Sequence, residues 1–402
     1  MIADPVQQLI RNFGAGGEVQ TVAAPGRVNL IGEHIDYHGL PVLPMALRRS
    51  IRVAWRARTD RRIRAASSER YGVREFVWTA NLLPAAAGDW GNYLRAAAQA
   101  VSRKWGAGVG VDAAIVSDLP AAAGLSSSSA LIVAFTLALL GANRIHAGFE
   151  DLMDVLPEGE QFVGTRGGGM DHAASLASLA GCASLIGFAP LYVRPIPIPE
   201  GWSFLVAHSL HSAEKSGVLS DQYNARRTAG AAALSDFNFA SYSEAISAEA
   251  IQGRTSNQPF APQAVSAADR MKHDCFLHVT SEALRVQQAV AAIERDDPGA
   301  FGRLLLESHA SLRDRLKVSC PALDQLVTAA IGSGALGARL TGAGFGGCAV
   351  ILCRRSDRPA VRAGLISRFY SGRACVGEHQ FDEQQHLIDA EPGRGALYPE
   401  KA

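Results

Sequence analysis

DLPAAAGLSSSSALIVAFTLALL, residues 118–140, passes from the end of a strand-like stretch through one glycine and four serines into a long apolar run. VDAAIVSDL before it reads as a strand and LIVAFTLALL as a buried helix, so Gly124 to Ser129 form the turn that opens the helix. Backbone N–H groups and hydroxyls gather there, where the helix dipole is positive, and that suits a polyphosphate. Serine is also a favoured N-cap residue. A cap uses one serine, which leaves three to explain. No Gly-Lys-Ser/Thr ends the loop, so it is not a Walker A motif, and the absence of H-R-D and D-F-G triplets excludes a protein kinase.

Around this stretch lie 402 residues, enough for about two domains. The balance of 39 basic against 38 acidic residues removes any global electrostatic case for nucleic acid or a membrane surface, which leaves a small polar ligand. Six scattered cysteines without a C-x-x-C pair read as reduced thiols, and MIADPVQQLIRNFG lacks the features of a signal peptide; a cytoplasmic protein is expected. The longest apolar run, from Leu131, is too short to span a bilayer.

Residues 48–57 and 62–68 alternate as half-buried strands, whereas 92–104 and 130–140 have helical character. A strand-rich stretch ends near Ser209. Mostly helical sequence follows, including 269–330, and the segment 247–267 reads as a surface excursion. A boundary between two lobes is expected near residues 190–210. Three further stretches carry chemistry. GRVNLIGEHIDYHG (26–39) crowds Glu33, His34, Asp36, Tyr37 and His38 after an apolar alternation. In GTRGGGMDHAASLASLAG (164–181) glycines deliver Asp171 to the start of a short helix. ARLTGAGFGGCAVILC (338–353) spells G-x-G-x-x-G at Gly342, Gly344 and Gly347, but CAVILC is strand-like, so a glycine loop between two strands fits better than a dinucleotide fold.

In this order, GRVNLIGEHIDY, LPAAAGLSSSSAL, GGGMDHA and LTGAGFGGC closely resemble the motifs of galactokinases in the GHMP kinase superfamily. SDQYNARR (220–227), DWGNY (89–93) and residues 301–327 read like galactokinase segments too, so the resemblance covers most of residues 20–353. It implies an α+β fold of two lobes with the active site between them. Residues 1–200 would resemble ribosomal protein S5 domain 2, and residues 201–402 a ferredoxin-like fold. The implied reaction moves the γ-phosphoryl of ATP, with Mg2+, to the anomeric hydroxyl of a galactose-type sugar.

Carried onto this chain, the resemblance makes Asp171 the general base or orienting carboxylate and Arg27 its partner at the γ-phosphate. Gly124, Leu125, Ser126, Ser127, Ser128 and Ser129 would wrap the phosphates, with Ser128 as a Mg2+ ligand. Many galactokinases carry the metal's glutamate three residues before the aromatic at Phe162; Gly159 stands there, flanked by Glu158 and Glu160, and Glu160 is the expected ligand. The sugar would be held by Glu33, His34, Asp36, the backbone of Gly168, and Tyr223, with Trp90 beside the adenine. A monomer or weak dimer is expected, without nucleic-acid or membrane partners.

Where common galactokinases read H-T-D-Y-N and C-G-I-M-D-Q, this chain has Ile35, His38, Gly167, Gly169 and His172. HIDY, the four serines and GGGMD resemble the N-acetylgalactosamine kinase branch, and a small residue at Gly169 is expected to make room near the sugar. LLLESHASLRD and Tyr223 place galactose first. Two other readings stay open: a silent sugar sensor, against which Arg27, Asp171 and the serine loop argue, and a zinc site on His34 and His38, against which Gly39 and Pro41 argue because they disfavour a helix there.

Overall fold

The computed structural model describes residues 4–120, 124–162, 167–211, 218–252, 266–371, 373 and 381–398, with the side chains of 160–161, 218–220 and 248–252 outside that description. Helix α1 (Pro5–Phe13) is capped by Asp4, whose carboxylate accepts from the Val6 N–H. Strands β1 (Gln20–Ile31), β2 (Leu43–Ala57), β3 (Arg62–Ala66) and β4 (Val73–Val77), helix α2 (Gly91–Trp105), β5 (Val111–Ser117) and helices α3 (Ser127–Ala142), α4 (Phe149–Gln161) and α5 (Met170–Ala177) follow. The strands form one sheet in the order β1-β2-β5-β3-β4, with only β3 and β5 parallel.

Helix α3 is apolar on every side because it is buried on every side, against α2, α4, α5, β1 and β2. Each fully buried Leu, Ile, Val or Phe it contributes stabilises by about 1.5–3 kcal/mol relative to exposure. That packing fixes the N-terminus of α3, and with it the serine loop, against the middle of β1 at Gly26 and Arg27. Gly26 allows the approach: a Cβ there would stand 2.7 Å from the Leu125 carbonyl oxygen.

A hairpin, β6 (Cys182–Phe188) with β7 (Leu191–Pro197), leads to the second sheet. It comprises β8 (Trp202–His208), β9 (Gly337–Thr341), β10 (Cys348–Arg354) and β11 (Leu387–Asp389), ordered β11-β8-β10-β9 and entirely antiparallel. Helices α6 (Val218–Asp236), α7 (Tyr242–Gln252), α8 (Ala267–Glu294), α9 (Pro298–Asp314) and α10 (Pro321–Gly332) precede β9, and α11 (Arg358–Leu365) follows β10. Gly342, Gly344 and Gly347 lie in the β9–β10 turn, as expected for a loop between strands.

The expected surface excursion at 247–267 differs in part: α7 runs through Gln252, and residues 253–265 lie outside the described residues. The tail also departs from a simple division of the chain. After β11 it returns to the first sheet, where Gly393 N–H donates to Ala46 O at 2.7 Å and Gly395 N–H to Ser178 O at 2.8 Å. Among the described residues no helix is long and apolar enough to cross a membrane.

Candidate active site

Arg27 leaves β1 buried, its side chain 4 % exposed, and meets Asp171 at the start of α5. Its Nε donates to Asp171 Oδ1 at 2.7 Å, Nη2 stands 2.5 Å from the same oxygen, and Nη1 donates to Gly124 O at 2.8 Å. The Arg27 N–H closes on Leu125 O at 3.2 Å. One arginine therefore ties the carboxylate to the mouth of the serine loop. The second carboxylate oxygen, Oδ2, accepts the Ser126 hydroxyl and lies 3.4 Å from Ser129 Oγ.

Ser126 stands at the N-cap of α3 with φ +56°, and its hydroxyl makes no cap bond. The serine row divides: Ser126 and Ser129 are buried and face Asp171, whereas Ser127 and Ser128 are half-buried in the first turn of α3. The β9–β10 turn lies on this loop. A Cβ at Gly342 (φ +87°) would stand 3.2 Å from Gly124 O, an approach that a side chain there would strain.

The stretch after β1 divides its polar residues among separate tasks. Glu33, 3 % exposed, pairs with Arg339 Nη2 at 2.8 Å through Oε1, which also accepts from the Gly342 N–H at 2.6 Å. His34 uses both ring nitrogens: Nε2–H donates to Ala343 O at 3.2 Å, and Nδ1 accepts the Tyr37 hydroxyl at 2.8 Å. Burial holds its pKa below the ordinary value, so the neutral ring that this pairing requires is favoured. His38 packs against Tyr242, 4.9 Å between ring centroids, and among the described residues no group of three His, Cys, Asp or Glu side chains could hold a metal ion. The zinc reading fails on that geometry.

Asp36 Oδ2 accepts from the Gly168 N–H at 3.1 Å, which joins the stretch after β1 to the loop bearing Asp171. Burial first, then the charges of Asp171 and Glu33, push the Asp36 carboxyl up to about 6. Tyr223 of α6 closes the cluster, its ring 5.2 Å from His34 and 5.7 Å from Tyr37.

Gly168 is required by contact: a Cβ there would lie 2.4 Å from the Asp36 carbonyl carbon and the Tyr37 nitrogen. Gly168→Ala is expected to displace the Asp36 turn and to cost about 1–3 kcal/mol of stability, read from denaturant melts. A melt unchanged from the parent would contradict this packing.

Gly169 corrects an expectation. A side chain there would meet Met153, Pro157 and Phe188, so its smallness leaves no open space beside it; its φ of +98° explains the glycine. Trp90 caps the start of α2 and gives its indole N–H to Tyr71 O at 2.8 Å, with the Arg74 guanidinium 5.6 Å above its ring. The Glu160 side chain lies outside the described residues, while Glu158 is ion-paired with Arg103.

Three profiles of known families match this chain: "Galactokinase galactose-binding signature" over residues 8–57, "GHMP kinases N terminal domain" over 92–178 and "GHMP kinases C terminal" over 289–372. A protein named galactokinase from Roseiflexus sp. (strain RS-1) is 37% identical over 361 residues, covering 88% of this chain and 89% of its own length. The chain belongs to the galactokinase family of the GHMP kinases. A galactokinase from Streptomyces coelicolor is 34% identical, across 88% of this chain and 90% of that protein. The crystal structure of Lactococcus lactis galactokinase complexed with galactose superposes with a TM-score of 0.83 at 25% identity, over 97% of both chains. A mevalonate kinase structure shares the fold, with a TM-score of 0.58 at 18% identity over 87% of this chain and 96% of that one.

Within this galactokinase-family site, sequence reasoning missed Arg339 and Thr341, which join the β9 strand to Glu33 and Asn29. One signal was present. Arg339 sits in the apolar stretch before TGAGFGG, and a cation inside a buried strand requires a carboxylate partner.

Proposed function

We propose that this protein transfers the γ-phosphoryl of ATP to the anomeric hydroxyl of galactose, giving galactose 1-phosphate. The observation that carries the reading is Asp171, held by Arg27 on one oxygen and by the serine loop on the other. Phosphoryl transfer asks a protein for positioning and charge neutralisation. Asp171 receives the proton of the sugar O1, O1 forms its bond to the γ-phosphorus, and the bond from that phosphorus to the bridging oxygen breaks to release ADP. Arg27, fixed and buried, stabilises charge on the moving group and on the attacking oxygen.

Gly124 to Ser129 are assigned to the phosphates, Ser127 and Ser128 foremost because their hydroxyls lie in the half-buried first turn of α3. Their oxygens are the hard donors Mg2+ requires, and Ser128 with Glu160 would hold it; the ion supplies charge neutralisation on the phosphates. Trp90 is assigned to the adenine. Glu33, His34, Asp36, Gly168 and Tyr223 are assigned to the sugar, where an ionised acceptor bonds hydroxyls about twice as strongly as a neutral one. The two lobes are proposed as residues 1–200 and 201–402, divided between β7 and β8, with residues 391–398 of the second packing back on the first. Free thiols at Cys182, Cys275, Cys320, Cys348 and Cys353 support a cytoplasmic setting, and a monomer or weak dimer is proposed.

A coupled assay for ADP release with galactose, N-acetylgalactosamine, arabinose and galacturonate tests the proposal. Galactose is expected to give the highest kcat/KM. A preference for N-acetylgalactosamine would reassign the sugar, and ATP binding without ADP release from any of the four would restore the silent-sensor reading.

Asp36 adds a pH test. With its carboxyl raised to about 6 from the ordinary 3.8, the sugar-free protein has this group's contribution in full below pH 3.8 and loses it as pH rises through about 6. The difference amounts to about 3 kcal/mol at most. Galactose needs the ionised acceptor, so its Kd is expected to rise about tenfold between pH 7 and pH 5. Titration calorimetry reads this, and Asp36→Asn should flatten the profile. A Kd independent of pH in the parent protein would remove Asp36 from the sugar.

A further inference from the structure

Residues 30–34 of the sugar stretch follow an uncommon backbone path, with φ +103° at Gly32 and +61° at His34. Such conformations persist only where the surroundings over-determine them. Part of the restraint comes from β9, where Arg339 Nη1 donates to Leu30 O at 3.2 Å and Nη2 meets Glu33. The rest comes from α8. Its residues 278 and 282 are one turn apart and project from one face. The wholly buried carboxylate of Glu282 accepts the Gly32 N–H at 3.0 Å, and His278 Nε2–H donates to Glu33 O at 3.0 Å.

Both groups are themselves held. Glu282 Oε1 also accepts the Ser308 hydroxyl at 2.7 Å, and Oε2 accepts Arg285 Nε at 2.8 Å. His278 Nδ1 accepts the Ser311 hydroxyl at 2.9 Å, which fixes the tautomer that gives its Nε2 proton to Glu33. Burial drives the His278 pKa down to about 3, in keeping with a neutral ring. Burial alone would raise the Glu282 carboxyl, but the charges of Arg285 and Arg339, with the Ser308 hydrogen bond, bring it down to about 2, so it is ionised at neutral pH. Hydrophobic packing alone calls for neither a buried carboxylate nor a buried imidazole, and both of these end on the backbone of the sugar stretch.

We infer that Glu282 and His278 are positioning residues for the sugar: from α8 they hold the Gly32–His34 backbone so that Glu33, His34 and Asp36 face the substrate. This rests on the assignment of those three residues to galactose. Loss of either contact should weaken sugar binding and leave the nucleotide side unaffected.

Initial rates of the full-length protein, varied in galactose and in ATP, test it. His278→Leu and Glu282→Gln are each expected to raise the galactose KM about tenfold, as loss of a buried bond to a backbone group would. The ATP KM and the kcat at saturating galactose should stay within about twofold. His278→Gln, whose amide N–H reaches toward the position of Nε2–H, should recover most of the loss. Should a first variant fail to fold, Ser308→Ala keeps the carboxylate and removes one of its donors, and a rise of about threefold in galactose KM is expected. An unchanged galactose KM in the folded variants would overturn the inference, as would equal losses in every parameter with no rescue by glutamine. A parent protein that does not phosphorylate galactose would instead overturn the sugar assignment itself.

Discussion

Asp171→Asn is expected to lower kcat by a factor of about 10² to 10⁴, the usual worth of a general base, with the galactose KM changed by less than about threefold. The amide keeps the size of the carboxylate and loses both its charge and its capacity to take the O1 proton. Arg27 Nε and Nη2 both converge on Oδ1, so the amide must turn its oxygen toward them and its NH2 toward the Ser126 hydroxyl. Packing therefore survives while the acceptor is lost. Single-turnover rates at saturating ATP and galactose read the chemical step without product release. A variant at near-parental rate would remove Asp171 from proton transfer and leave it an orienting role. Arg27→Lys provides a complementary reading: a lysine cannot reproduce the fork that joins Asp171 to Gly124, so it too should act on kcat.

Arg339→Met carries the second large effect, on stability and sugar binding together. Arg339 is fully buried and its partner Glu33 nearly so, with side chains 0 % and 4 % exposed. Removing the cation leaves an uncompensated carboxylate in the interior, at a cost of about 3–5 kcal/mol in denaturant melts. The double variant Glu33→Gln with Arg339→Met removes both charges, and its stability is expected to return to within about 1 kcal/mol of the parent. Sugar affinity should not return, because the Glu33 carboxylate is assigned to a sugar hydroxyl. A double variant as unstable as the single one would show that Arg339 acts through its bonds to Leu30 O and Leu340 O rather than through the ion pair.

The fold was legible where local pattern and long-range packing agree. The all-round apolar run after Ser129 admits only a buried helix, and CAVILC after Gly347 only a strand, so the serine loop and the glycine turn were placed by composition and period. The juxtaposition of those two loops required the motif resemblance, because nothing local says that Gly342 lies on Gly124. Partnerships across long separations were illegible for the same reason: Glu33 with Arg339, and Gly32 with Glu282, are set by the packing of β9 and α8 on the end of β1. The inward turn of Ser126 depends on one positive φ that a run of four identical residues cannot reveal. Gly169 shows the opposite error. Its smallness invited a reading about sugar size, whereas backbone conformation and the Met153–Pro157–Phe188 wall account for it.

The central claim is that this pair of lobes phosphorylates galactose at O1, and the product tests it most directly. Galactose and ATP incubated with the protein and Mg2+, followed by phosphorus-31 and proton NMR, should show a phosphomonoester coupled to the anomeric proton, accumulating with ADP in equal amounts. Phosphate on any other hydroxyl, or ADP accompanied only by inorganic phosphate, would contradict the assignment of Asp171 and Arg27 to the anomeric oxygen.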